Sequence, residues 1–184
     1  MKLFKNVDIA DLKSILARGI LSMDESGNNN WNPKKRANNP TDVVYLFSPT
    51  GHQNSFPKYG AALIEVEVED AVKSNMPQND WNAGKYDEFT VKKVEPSSIK
   101  AIYIPSIFEG KDELPEGVRS KVTYCGITAK VFDLQLNCLV DATAEDFAHL
   151  AERGEFISTM CVNFFRGIRE NNTVVDFENV HYEI

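Results

Sequence analysis

The chain has 184 residues, of which 42% are hydrophobic and 26% are charged, so its composition is that of a conventionally folded globular protein and excludes a disordered or fibrous class. The formal net charge of −7 makes general attraction to polyanions weak. No apolar run reaches the ~18 residues that span a bilayer, and the opening residues mix charged with apolar positions. We therefore expect a cytoplasmic protein with no membrane partner.

Cysteine and histidine are sparse and widely separated. Three cysteines at wide spacing suit buried, reduced thiols better than a disulfide framework, and the three histidines are equally scattered. We therefore predict no metal site. The one compact basic cluster, Lys34-Lys35-Arg36, lies in an Asn-rich stretch, where a solvated loop and a phosphate contact are both open interpretations.

The chain opens with a predicted strand, Lys2 to Lys5, and a helix. Asp8 is in the position of an N-cap, apolar residues follow at helical spacing, and Gly19 suits the C-terminal turn. From Ser22 to Asp42 the absence of periodicity predicts a long loop.

The rest of the chain shows more strand than helix. Alternation and turn residues predict strands at Val43 to Phe47, Ala61 to Val68, Glu88 to Val94, Ala101 to Ile104 and Val174 to Tyr182, and a hairpin over Lys121 to Leu134. Helical spacing predicts helices from Thr143 to Arg153 and from Phe156 to Arg169. With no repeat and no linker, the sequence predicts a single α+β domain over residues 1–184.

Glu88 is the first candidate for chemistry. A carboxylate at the beginning of a strand, after a loop that contains Trp81, Gly84 and Tyr86, is in a position where a cleft could use it. The alternative is a solvated glutamate at a strand end.

The order of these segments carries a family resemblance. Phe4-Lys5-Asn6-Val7-Asp8, followed by the helix that ends in Ile15-Leu16-Ala17-Arg18-Gly19-Ile20, resembles the first strand and helix of NAD-dependent ADP-ribosyltransferases. Val43 to Thr50 and Lys58 to Val68 resemble the family's second strand, tyrosine-bearing segment and third strand. Asp87-Glu88-Phe89-Thr90-Val91, with Pro96, Ile99 and Ile102 behind it, resembles the strand with the catalytic Glu, in a spacing most similar to the DarT group, which modifies DNA bases.

The resemblance covers residues 3–105 and implies a split mixed β-sheet core with a leading helix. Residues 106–184 resemble nothing and are expected to complete the domain as a C-terminal helical and strand extension. The implied activity is transfer of ADP-ribose from NAD, with Glu88 as the catalytic residue that stabilises positive charge on the ribose. The resemblance assigns the binding of NAD to five residues: Lys5, Asn6, Ser48, Thr50 and Tyr59.

Three departures from the family pattern bear on the predicted NAD binding and on the predicted acceptor. Lys5 stands where the family has His or Arg, so a flexible point charge replaces a planar group. Pro49 interrupts a Ser-Thr-Ser motif at Ser48 and Thr50. Tyr86 occupies the position of the second Glu of arginine-modifying relatives. The resemblance therefore implies that the acceptor is a nucleobase or a protein side chain other than arginine, so that the partner is DNA or protein. Toxins are among the relatives of this kind.

Two other functions stay open. The departures at Lys5 and Pro49 are also compatible with a catalytically inactive binding module of the same fold. The acidic charge and the unmatched C-terminal half are compatible with an inhibitor or other interaction protein.

Overall fold

A computed structural model gives the protein an α+β architecture, as the sequence predicts. Within the described residues it contains a mostly antiparallel sheet of seven strands, a separate three-stranded sheet and a few short helices. The residues that it describes are 1–27, 39–49, 60–74, 86–110, 114, 116–133, 135–141 and 180–184.

The elements follow one another in the order strand, helix, strands, helix, strands. The main sheet contains β1 (Lys2–Val7), β2 (Val44–Pro49), β3 (Ala62–Glu67), β4 (Val72–Lys73), β5 (Tyr86–Val91), β6 (Ile99–Pro105) and β7 (Val122–Cys125). The small sheet contains β8 (Ile127–Asp133), β9 (Cys138–Asp141) and β10 (Val180–Tyr182). The helices are α1 (Leu12–Arg18), α2 (Met23–Ser26) and α3 (Glu116–Arg119).

Strand β1 lies in the middle of the main sheet, whose order is β4-β5-β2-β1-β3-β6-β7. Neighbouring strands are antiparallel except β6 and β7, which are parallel, so the sheet is mixed. Along its whole length, from Lys2 to Val7, β1 is in register with β3. Against β2 it is in register at a single pair, Phe4 with Phe47. Pairing between β1 and β2 is therefore much shorter than pairing between β1 and β3.

The core is formed by residues of the central strands together with Leu12 of α1. Leu3, Ile64 and Ile102 are completely buried, as is Leu12 at the start of α1. Burial of side chains of this size stabilises the fold by roughly 1.5–3 kcal/mol each. Consecutive residues are buried in β1 and in the first half of β3, so both faces of the sheet are covered there.

The first helix is confirmed, with a correction at its start. A 3₁₀ turn over Ile9–Asp11 precedes α1, and Asp8 is its N-cap residue, but the Asp8 side chain makes no capping hydrogen bond. Gly19 ends α1 with a φ of 84°, in the region that favours glycine. An added Cβ there would overlap the carbonyl of Val94, so Gly19 also permits close packing.

The predicted strands at Val43 to Phe47, Ala61 to Val68 and Ala101 to Ile104 are confirmed with shifts of one or two residues at their ends. Strand β5 begins at Tyr86 and ends at Val91. Glu88 is therefore its third residue, and the prediction that Glu88 begins the strand is wrong.

Two other predictions are wrong. The predicted loop from Ser22 contains α2, which Ser22 caps by accepting a hydrogen bond from the backbone N–H of Glu25. The predicted hairpin over Lys121 to Leu134 is not formed, because β7 pairs with β6 in the main sheet while β8 pairs with β9 and β10. The predicted helices from Thr143 to Arg153 and from Phe156 to Arg169 lie outside the described residues, as does most of the strand predicted from Val174.

Candidate functional site

Glu88 is a buried carboxylate near the middle of β5, with 9% of its surface exposed. Its backbone is held on both sides, because β5 pairs with β2 and because the Glu88 carbonyl accepts a hydrogen bond from the Ser74 amide at 2.7 Å. A side chain on a backbone fixed in this way has a defined position. Glu88 thus has the rigidity that a catalytic group requires.

The surroundings of Glu88 on its own face of the sheet are aromatic. Glu88 is paired with Phe47, and Phe47 with Phe4, so the three side chains share one face. The rings of Phe4 and Phe47 have centroids 6.1 Å apart, and the Tyr86 ring meets Phe47 edge-on at 6.0 Å. Phe4, Phe47 and Tyr86 are each more than 90% buried. A row of aromatic rings therefore leads across the sheet to the carboxylate.

This setting suits a carboxylate that acts on positive charge. Little water reaches Glu88, so its electrostatic effect on a nearby group is stronger than at an exposed site. Aromatic faces also attract cations. The arrangement can therefore stabilise a cationic ligand or a transition state that develops positive charge.

Lys5 is in a different environment. It follows Phe4 in β1, and successive side chains of a strand point to opposite faces, so Lys5 and Glu88 lie on opposite faces of the main sheet. The Lys5 Nζ donates a hydrogen bond to the Tyr45 carbonyl of β2 at 3.1 Å. The structure does not bring the two principal candidates together on one surface.

Lys5 lines a cavity of about 510 Å³ between the end of β1 and α1, together with Asp8, Asp11, Ser14 and Arg18. Burial raises the pKa of Asp8 to about 6, with a further contribution from the negative charge of Asp11. Burial also raises the pKa of Asp11. Sequence reasoning placed Asp8 and Asp11 at the start of a helix and missed this cavity, although two carboxylates three residues apart beside a lysine are a signal of it.

Two more candidates for NAD binding lie among the described residues. Ser48 is paired with Asp87 and follows Phe47, so it lies on the opposite face from Glu88. Asn6 is 5% exposed and lies on the face of Glu88, where its Nδ2 donates to the Gly60 carbonyl at 3.1 Å. Thr50 and Tyr59 are outside the described residues.

No family model, curated protein or solved structure matches the chain. The relationship to ADP-ribosyltransferases therefore remains a prediction from the residues quoted above. In the part of the chain that the structure describes, no group of three His, Cys, Asp or Glu residues is arranged to hold a metal ion. No helix in that same part is long and apolar enough to cross a membrane.

One residue near the site was missed by sequence reasoning altogether. Tyr182 of β10 is 1% exposed and donates its hydroxyl proton to the Ala61 carbonyl at 2.7 Å. Ala61 follows Gly60, the residue that accepts from Asn6. The end of the chain thus contacts the segment that Asn6 also holds, a relationship between residues 121 positions apart that no local pattern signals.

Proposed function

We propose that the protein transfers ADP-ribose from NAD to a macromolecular acceptor and that Glu88 is its catalytic residue. The observation that carries the proposal is the buried Glu88 carboxylate, fixed on β5 at the end of an aromatic row. The mixed, mostly antiparallel sheet is compatible with the sheet core that the family resemblance implies.

The proposed chemistry needs one well-placed carboxylate. The bond between nicotinamide nitrogen and ribose C1′ breaks, and its electron pair leaves with nicotinamide. Positive charge develops on the ribose ring, which Glu88 stabilises while it accepts a hydrogen bond from a ribose hydroxyl. The acceptor then forms a bond to C1′ and gives its proton to the Glu88 carboxylate, which acts as the general base. The aromatic row suits the planar, cationic nicotinamide ring of the substrate.

The acceptor is proposed to be a nucleobase or a protein side chain other than arginine. Arginine-modifying enzymes of the resembling family use a second glutamate two residues before the catalytic one, and this position is Tyr86 here. Tyr86 is 8% exposed and its ring packs against Phe47, so it completes the aromatic row.

Incubation of the protein with NAD, followed by mass spectrometry of nicotinamide and ADP-ribose, tests the proposal. DNA and protein acceptors are added in separate reactions, and mass increases on each are measured. Glu88→Gln keeps the shape of the side chain and is expected to lower nicotinamide release by about 100-fold or more.

Asp87→Asn is the matched control, because Asp87 is the preceding residue of β5, points to the other face and pairs with Lys73 at 2.8 Å. It is expected to release nicotinamide at the wild-type rate. Equal rates for wild type and Glu88→Gln would refute the catalytic assignment.

A second function, an inactive module that binds NAD, is favoured by the placement of Lys5 and Ser48 on the face opposite Glu88. Calorimetry separates the two functions. Heat of NAD binding without any nicotinamide release supports the binding module. A protein that shows neither binding heat nor nicotinamide release contradicts both the transferase and the binding module.

A further inference from the structure

We infer that Asn6 and Tyr182 are positioning residues for the proposed NAD site. The inference rests on the proposed function and concerns how the protein keeps the site in shape. Its starting point is a pair of hydrogen bonds to consecutive carbonyls. Asn6 Nδ2 donates to Gly60 at 3.1 Å, and the Tyr182 hydroxyl donates to Ala61 at 2.7 Å.

Both hydrogen bonds are shielded from water, so each of them keeps a fixed geometry. Asn6 is 5% exposed, Ala61 and Tyr182 are each 1% exposed, and both bonds are buried. A buried carbonyl that loses its donor leaves an unsatisfied group, which costs about 1–3 kcal/mol. The two bonds therefore resist movement of the 60–61 segment from two directions.

The segment that they hold also contacts the end of β1. Gly60 has a φ of 140°, and an added Cβ would overlap the carbonyl of Val7 and approach the amide of Asp8. Ala62, the first residue of β3, is in register with Val7. The start of β3 and the end of β1 are thus packed backbone against backbone.

This packing sets the course of β1 after Phe4. With its end fixed to β3 and to Gly60, β1 follows β3 as far as Val7 and is in register with β2 at Phe4 alone. Asn6 and Tyr182 thereby fix the end of β1, the strand that contributes Phe4 to the row of Phe4, Phe47 and Glu88. Tyr182 belongs to the part of the chain that resembles no family, which gives that part a role in the site.

Steady-state nicotinamide release and calorimetric NAD binding in four proteins test the inference: wild type, Tyr182→Phe, Asn6→Ala and the double variant. Each single variant is expected to raise both KM and Kd for NAD by about fivefold, the equivalent of one hydrogen bond. The value of kcat is expected to stay within about twofold of wild type, because Glu88 is held by β2 and β4 and not by this segment. The double variant is expected to be less impaired than the product of the single effects, since both bonds hold one segment.

Tyr103→Phe is the matched control. Its hydroxyl also donates to a partner in the main sheet, Glu65 Oε2 at 3.2 Å, and not to a carbonyl of residues 60–61. It is expected to leave KM and Kd unchanged. Hydrogen exchange at the amides of residues 61–64 is expected to be faster in Tyr182→Phe and unchanged in Tyr103→Phe.

The outcomes separate this inference from the proposed function. A wild type that neither binds nor cleaves NAD refutes the proposed function, and the inference with it. A wild type that does either, together with Tyr182→Phe and Asn6→Ala variants of lower thermal stability but unchanged KM and Kd, overturns the inference alone and leaves a structural role. Should Asn6→Ala not fold, Tyr182→Phe, which keeps the ring, decides the matter by itself.

Discussion

Lys5 and Glu88 lie on opposite faces of the main sheet, although the strands that carry them, β1 and β5, both pair with β2. The Lys5 ammonium donates a hydrogen bond to the Tyr45 carbonyl of β2. A dinucleotide is long enough to contact one group at each of its ends. We therefore expect NAD to reach both residues only if it extends from one face of the sheet to the other.

The substitution Lys5→Met tests this path. If the NAD diphosphate contacts Lys5, loss of a charge-assisted hydrogen bond is expected to weaken NAD binding by about tenfold or more, with little change in kcat. Lys5→Arg is expected to bind at least as well as wild type, because a guanidinium makes two parallel bonds to a phosphate. Calorimetry with NAD measures both variants.

Lys13→Met is the control, since Lys13 is exposed on α1 and does not line the cavity that Lys5 lines. If Lys5→Met leaves the Kd for NAD unchanged, Lys5 only lines the cavity beside α1 and does not bind the nucleotide.

Asp8 gives a prediction about pH. Its pKa in the folded protein is raised from 3.8 to about 6, first by burial and then by the charge of Asp11. The folded state therefore binds this proton more tightly than the unfolded state. The stability that the neutral Asp8 contributes is fully present below pH 3.8 and is lost as the pH rises through about 6.

The variant Asp8→Asn removes this dependence. At pH 7.5 it is expected to be more stable than wild type by about 1 kcal/mol, a value reduced for the partial exposure of the site, and its advantage shrinks as the pH falls toward 4. Urea unfolding at pH 7.5 and pH 4.5 measures the difference. Asp70→Asn, at an exposed position, is the control. An Asp8→Asn protein that is less stable than wild type at pH 7.5 contradicts the burial argument.

Local patterns in the sequence predicted the strands well, and pairing between strands explains what they missed. The apolar run and the alternation from Ala61 to Val68 predict β3 within one residue at each end, although its first half is buried on both faces. The face of Glu88 relative to Lys5 depends on the register of two strand pairs between residues far apart in the chain. A shift of one residue would reverse it, and no local pattern fixes that register.

The hairpin predicted about Gly126 shows the same limit. A glycine between two apolar, alternating runs is the usual signal of a hairpin, and strands do occur on both sides of it. Here Gly126 joins two sheets, and its carbonyl accepts from the amide of Glu183 at the end of the chain. The competing partner of β7 is β6, which lies in parallel beside it and is contributed by a separate part of the sequence.

Gly60 gives the sharpest prediction about stability near the site. Alanine there would place a Cβ on the Val7 carbonyl and would hold a φ of 140° that side chains rarely adopt. Because the added Cβ would meet backbone atoms of Val7 and Asp8 rather than a movable side chain, β1 and β3 would have to move apart to remove the overlap. Gly60→Ala is therefore expected to lower the free energy of unfolding by at least about 2 kcal/mol.

The control for this change is Gly117→Ala in α3, where an added Cβ meets no atom within 4 Å. Helix propensity there is expected to leave stability unchanged or to raise it by up to about 1 kcal/mol. Urea unfolding of the two variants beside wild type measures both effects. If Gly60→Ala were as stable as wild type, the close contact between the 60–61 segment and the end of β1 would be wrong, and Asn6 and Tyr182 would have no fixed carbonyls to hold.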